Sequence, residues 1–240
     1  MMVIMMRFVD LTSSPPAVTH VIPGSARVCG VTSLGDDVFV VRFDQSQQVV
    51  EVYDAMTFTL QRRLSVPGLG DRSFGLAACA SNKCLYASDF CNDLVHRVEL
   101  SGSNAVTKWS VGRGPTGLVV NSAKNVLVVI PDERKLQEFT THGAPVKTIQ
   151  LLSDIENLRH VVELSNGQLM ISHRGSSHRI CLLDAKGAVI QSYGRTSGTD
   201  LTEMNWPAGL AADKNENILV ARRRAQQQAV GVRSFTDQCS

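Results

Sequence analysis

The chain has 240 residues, 43% of them hydrophobic and 19% charged, with a formal net charge of +2. That balance is ordinary for a globular chain long enough to bury a large core, and it excludes wholesale disorder. A net charge so near zero gives no footing for a nucleic-acid or membrane-surface partner unless the charges cluster locally.

In chain order, the opening "MMVIMMRF" is apolar for only eight residues and has no basic residue ahead of it. It is too short for a secretory core with its cleavage site, and no run in the chain approaches the ~18 apolar residues of a membrane span. Six cysteines follow at irregular spacing: Cys29, Cys79, Cys84, Cys91, Cys181 and Cys239. They form no CxxC pair and no regular framework, so they read as small buried thiols of a reducing compartment. A cytoplasmic location is the expectation, with no structural zinc.

From residue 30 onward the chain repeats itself. "GLAACASNKCLYASD" (75–89), "GLVVNSAKNVLVVIPD" (117–132) and "GLAADKNENILVARR" (209–223) share a plan. Each begins Gly-Leu, runs through small or branched apolar residues, turns at a polar cluster and re-enters an apolar strand. "GVTSLGDDVFVVRFD" (30–44) and "HVVELSNGQLMISHR" (160–174) follow with small slips. The units start at 30, 75, 117, 160 and 209, spacings of 45, 42, 43 and 49. Each continues with a third alternating run ("QVVEVYD", "LVHRVEL", "KLQEFTT", "RICLLDA"), a turn, and a fourth run. Four short strands repeated at this period define the blades of a β-propeller. A single four-stranded sheet cannot bury both of its faces, whereas stacked sheets bury each other's. No segment carries a helical period, so the expectation is all-β: about five blades of four strands, an incomplete six-bladed ring. Residues 1–29 form an N-terminal segment able to supply a strand to the closing blade.

The blades resemble NHL repeats over roughly residues 30 to 221. "WPAGLAADKNENILVA" (206–221) is close to the repeat's opening and second strand, and "RSFGLAACASNKCLYASD" and "GPTGLVVNSAKNVLVVIPD" are recognisable. The resemblance implies a propeller that binds proteins or single-stranded RNA. In tripartite-motif ubiquitin ligases such a propeller selects the target for ubiquitin ligation. No RING or B-box pattern precedes it here, so ligase chemistry is not expected in this chain.

"GRGPTG" (112–117) has the letters of a dinucleotide-binding turn, G-x-G-x-x-G. Such a turn must feed a helix whose N-terminal amides hold the pyrophosphate. Only "LVVNSAKN" separates Gly117 from the next apolar strand, and it starts with β-branched valines and ends in turn formers. Sister corners read "LGDRSFG", "IENLRH" and "NWPAG" and do not keep the glycines. The stretch is a corner between blades, and no nucleotide cofactor is expected.

Two loop classes gather the chemistry: those joining successive blades, and those joining second to third strands. They offer a partner-binding face of Arg42, Arg72, Phe74, Phe90, Arg113, Arg134, Arg159, His173, Arg174 and Trp206. Arginine beside aromatics suits carboxylate or phosphate groups, through forked hydrogen bonds and stacking. The bland alternative is that corner arginines cap carbonyls or pair with a neighbouring blade's aspartate; His160 in particular reads as packing at a strand start. The expected function is a binding module for a protein or single-stranded RNA, without catalytic activity, cofactor, metal or membrane. The alternative is a metal-dependent lactonase or esterase, which resembles this fold and would draw on Asp89, Asp132, Glu156 and Asn157. In the repeat, however, the strand-ending aspartate suits a local cap on loop amides.

Past "NILVA" the pattern breaks. The repeat calls for an aspartate and an alternating strand, but "RRRAQQQ" arrives, and "AVGVRSF" makes a poor strand there. With permissible codons, a one-base shift turns "QQQAVGVRS" into "SSRLLVLDP", which restores the pattern. On that expectation residues 222–240 are an out-of-frame tail.

Overall fold

The computed structural model describes residues 4–10, 17–24, 27–43, 49–70, 72, 75–194, 206–212, 218–222 and 229–232. The fold is all-β, and its four-stranded antiparallel sheets are β-propeller blades. Among the described residues the one helical element is a 3-10 turn at Pro131–Glu133. Among the described residues no helix is long and apolar enough to cross a membrane. Contacts divide the chain into two compact units, Met1–Lys108 and Trp109–Ser240.

In the first unit, β1 (Ile4–Asp10) and β2 (Ala17–Gly24) form an antiparallel hairpin. The first blade contains β3 (Arg27–Leu34), β4 (Asp37–Phe43), β5 (Val49–Asp54) and β6 (Leu60–Ser65), paired in sequence order. The second contains β7 (Leu76–Cys79), β8 (Cys84–Asp89), β9 (Leu94–Glu99) and β10 (Val106–Ser110), the last running on past the unit boundary. Strand alternation decides what packs where. Phe39 and Val41 of β4 turn one way, with Val50, Val52 and Leu64, against Leu76, Leu85, Ala87 and Val98 of the second blade. Val38 and Val40 turn the other way, with Tyr53. A strand buried on both faces needs the near-continuous apolar run that "VFVV" supplies.

The second unit repeats the arrangement. Its blades are β11 (Leu118–Val120), β12 (Val126–Ile130), β13 (Lys135–Phe139) and β14 (Pro145–Gln150), then β15 (Leu158–Glu163), β16 (Leu169–Arg174), β17 (His178–Leu183) and β18 (Val189–Tyr193). Leu127, Val129 and Leu136 pack against Val161, Ile171 and Leu183. Met170 and Ile180 turn to the opposite side and meet Leu210, Ile218 and Val220. Those last residues belong to a sheet of β19 (Pro207–Ala212), β20 (Ile218–Arg222) and β21 (Ala229–Val232).

β21 corrects one expectation. "AVGV" does form a strand, with Val230 opposite Val220 and Val232 opposite Ile218. The ladder needs only backbone groups and tolerates the glycine between the valines. The rest of the divergent tail, residues 223–228 and 233–240, lies outside the described residues.

Gly117, the last glycine of "GRGPTG", leads directly into β11 and not into a helix. Its own role is close approach: a Cβ there would meet the Arg159 carbonyl oxygen at 2.5 Å and the His160 Cα at 2.7 Å. Gly30 stands against Leu76 in the same way, with Leu76 Cβ at 3.1 Å. At these two positions the leading glycine of one blade lies close against the next blade.

Candidate functional site

In the second unit the corner ahead of β15, the β16–β17 loop and the corner ahead of β19 close on a cavity of about 230 Å3. Asn157, Arg159, Arg174, Gly175, His178 and Trp206 line it. Local backbone features aim them. The ladder between β15 and β16 pairs Leu158 with His173 and His160 with Ser172, leaving Arg159 as an extra residue between them. Such a bulge re-aims its side chain out of the strand's alternation. Asn157 and Trp206 both hold left-handed backbone, φ 50° and 53°. Asparagine tolerates that region; for tryptophan it stores strain of about 1–2 kcal/mol.

The two loops are tied together. The Arg174 N–H donates to the Glu156 carbonyl at 3.2 Å, and the Gly175 N–H donates to that of Ser177 at 3.1 Å. Gly175 is a glycine of necessity, because the Glu156 side chain lies where its Cβ would be. The Arg174 guanidinium stacks over the Trp206 ring at 4.6 Å, and the His178 ring meets that indole edge-on at 5.9 Å. The Trp206 backbone N–H points to His178 Nδ1 at 3.5 Å, a long contact.

Arg159 differs from its neighbours. Its Nε is buried without a hydrogen-bond partner, and among the described residues its side chain makes no ion pair. Burial alone pulls its guanidinium below the usual value. The Asp154 carboxylate pairs with Arg179 at 2.9 Å. A cation partly withdrawn from water with no anion beside it is an unmet electrostatic need.

The other expected face residues fall elsewhere. His173 is fully buried. It sits at the β16 position opposite Leu158, so its ring points into the fold and is not presented to a partner. Burial first, and then the Arg179 charge, pull it down to about 4, so it is neutral at physiological pH. Arg113 is exposed and lies 3.8 Å from Asp132, the carboxylate pairing of the bland alternative. Arg134 is exposed at the left-handed end of the 3-10 turn. Arg72, Phe90, Arg42 and Phe74 belong to the first unit. Arg72 is exposed and its carbonyl accepts the Phe90 N–H at 3.1 Å. Phe74 and the side chain of Arg42 lie outside the described residues. The pocket therefore brings together three of the expected residues, Arg159, Arg174 and Trp206, and adds Gly175 and His178, which the sequence reading did not include. The polar "GSSH" between two apolar strands was their only signal.

The residues of the lactonase alternative do not gather. Asp89 is fully buried and accepts from the Gly70 N–H at 2.8 Å, the Asn92 side chain at 2.8 Å and His96 Nε2 at 3.1 Å. Burial opposes its charge, yet these hydrogen bonds outweigh it and hold the carboxyl at about 2. It is a cap on loop amides. Asp132 faces Arg113, and Glu156 covers Gly175. Among the described residues no three His, Cys, Asp or Glu side chains come together as a metal site. A wider groove of about 580 Å3 in the first unit runs along Arg63, Ser65, Ser103 and Lys108. Its cations sit on outer strands in solvent, and Arg63 is paired with Glu51 at 3.3 Å.

The sequence matches no protein-family profile and no curated protein. Solved structures do match. Virginiamycin B lyase from Staphylococcus aureus superposes over 98% of this chain and 76% of its own, with a TM-score of 0.63 at 8% identity. A 6-phosphogluconolactonase-like protein from Bacteroides uniformis gives 0.62 at 15% identity over 90% and 70%. Glutaminyl cyclase from Myxococcus xanthus gives 0.60 at 16% identity over 87% and 90%. At these identities the likeness is one of fold, the β-propeller. It also corrects the expectation that the chain is not an enzyme: this fold carries a lyase and a cyclase, so it gives no ground for excluding catalysis.

Proposed function

We propose that this chain is a recognition module that docks an anionic group of a macromolecular partner in the pocket of Arg159, Arg174 and Trp206. The observation that carries the reading is Arg159, a half-buried guanidinium with no carboxylate partner among the described residues. Arg174 supports it, since its guanidinium lies over the Trp206 ring at the same cavity. The resemblance of the blades to NHL repeats points to the same kind of role, with a protein or single-stranded RNA as partner. A concave pocket of about 230 Å3 suits one inserted side chain better than a strand of nucleotides. A protein partner is therefore the favoured reading.

The test is titration of fluorescent acidic peptides against the chain and against Arg159→Ala and Arg174→Ala, with thermal melts of each. Loss of binding in both variants, with melting unchanged, is expected. Equal binding by all three proteins would overturn the reading.

A further inference from the structure

We infer that the anion docked in this pocket is a single carboxylate, carried on an aspartate or glutamate side chain of a protein partner, and that Glu156 sets this choice by repelling anions of higher charge. The inference rests on the reading of the pocket as an anion site and goes on to name the anion and the residue that selects it. Arg159, which lines the cavity, supplies the contact. Its Nε is buried without a partner, whereas its two terminal nitrogens are not buried and make no hydrogen bond among the described residues. Paired N–H groups of this kind match the two oxygens of one carboxylate. Arg174 is already engaged over the Trp206 ring, so it adds charge and is not counted as a donor.

Glu156 limits the charge that the pocket accepts. Its side chain lies on Gly175, a wall of the cavity, in the space that a side chain there would fill. Its carbonyl takes the Arg174 N–H at 3.2 Å, which ties it to the β16–β17 loop. Among the described residues the Glu156 carboxylate makes no ion pair or hydrogen bond, so no close partner neutralises it. Arg159 and Arg174 bring two positive charges and Glu156 one negative, while the Arg179–Asp154 pair, 2.9 Å apart, is neutral as a unit. His178 turns Nδ1 to the Trp206 backbone N–H and is counted as neutral. One positive charge is left, and one carboxylate balances it. A phosphate monoester in its dianionic form would leave the cavity negative and would also face Glu156. Size points to a side chain as the source. A cavity of about 230 Å3 admits one, whereas a chain terminus brings its last side chain in beside its carboxylate.

The experiment uses short peptides blocked at both ends and neutral except at one central position, which is glutamate, phosphoserine or glutamine. A fourth peptide carries glutamine and a free C-terminus, and an oligouridylate completes the set. Binding to the full chain is followed by fluorescence anisotropy at neutral pH. The glutamate peptide is expected to bind about tenfold more tightly than the phosphoserine peptide, the effect of one unit charge felt across a few ångströms of partly solvated protein. The blocked glutamine peptide should not bind. Glu156→Gln should close the gap between glutamate and phosphoserine. Asp184→Asn adds the same charge beyond the far end of β17, about 20 Å from His178 by strand length, and should leave the ranking as it is. Circular dichroism confirms that each variant is folded, and the ranking by the unaltered chain stands as a test without them. Phosphoserine bound as tightly as glutamate, or a ranking that Glu156→Gln does not move, would sink this inference while leaving the anion site standing. Preference for the free C-terminus would overturn the side-chain source, and preference for the oligouridylate would put RNA in place of protein. Binding of none of these ligands would sink the anion site as well.

Discussion

The Arg174 guanidinium lies over the Trp206 indole, 4.6 Å from its centre, and the two side chains come from different blades. Each therefore positions the other in a cavity that neither strand could build alone. Replacing Trp206 with alanine removes a contact worth about 0.5–1 kcal/mol that helps to orient Arg174. Affinity for the acidic peptide should drop by roughly two- to fivefold, with global stability shifting by less than about 1 kcal/mol. Isothermal titration beside a thermal melt reads both numbers. Unchanged affinity would show that stacking does not orient the arginine.

Arg159 should show the opposite balance. Exchanging it for methionine removes a partly buried cation that makes no ion pair among the described residues. Urea midpoints should hold or rise, by up to about 1–2 kcal/mol, while anion binding disappears. A clear loss of stability would mean that the guanidinium is satisfied within the fold and is not held in reserve for a ligand.

The leading glycines form a graded series. Alanine at Gly117 would meet the Arg159 carbonyl oxygen at 2.5 Å, and overpacking of this kind costs about 1–3 kcal/mol. At Gly30 the nearest atom is a side-chain carbon at 3.1 Å, and at Gly209 the contact is an ordinary 3.5 Å. Stability should fall in the order Gly117→Ala, Gly30→Ala, Gly209→Ala, with the last close to wild type in a chemical denaturation series. Gly117→Ala should also weaken anion binding, because it presses on the residue that carries Arg159.

Acid should unfold the chain in two windows. Burial holds His160 at about 4, and burial with the Arg179 charge holds His173 at about 4. An unfolded histidine titrates near 6.5, so below that pH the unfolded chain takes up protons that the fold refuses. Stability should therefore decline as pH falls from about 6.5 through about 4, by on the order of 1–3 kcal/mol per histidine. Asp89, held at about 2, contributes a second loss between about 4 and about 2. Urea midpoints across this range, with His173→Phe flattening the upper window, provide the check. Midpoints that do not move between neutral pH and about pH 4.5 would contradict the assignment.

The cysteines should separate by exposure. Cys29, Cys79, Cys84, Cys91 and Cys181 are thiols and not disulfides in the structure, although Cys79 and Cys84 face each other across the β7–β8 ladder. Burial pushes the Cys181 thiol up to about 11 and raises that of Cys84. In native protein Cys91 should react promptly with a thiol reagent, and Cys84 and Cys181 only on unfolding. Prompt labelling of Cys181 would show its sheet to be open.

The strands were legible because burial on both faces leaves long apolar runs such as "VLVVI" and "LMIS", punctuated by turn formers at a constant period. Asp89 was legible for the same reason: a strand-ending aspartate beside loop amides is a local pattern. His173 was not. Its letters sit in a loop-like "SHR", and only the pairing with Leu158 shows that the strand runs on and buries the ring. Arg159 could be named as a corner residue, but its lack of an ion pair among the described residues depends on how the fold pairs its acids, and Asp154 turning to Arg179 is a tertiary fact. His178 was hidden by a strand that begins one residue earlier than its apolar pattern.

The extra residue at the start of β15 has counterparts. The β3–β4 ladder skips Cys29, and the β19–β20 ladder skips Ala208, each at the opening of its blade. Cysteine, arginine and alanine share little chemistry, yet the three positions break the pairing in the same way. The scaffold thus offers a set of sockets whose aim is set by backbone geometry and whose content is left to a single codon. New specificity can be written at such a socket without disturbing a rung of the ladder, and a second arginine placed at 208 would extend the existing one from the adjoining blade.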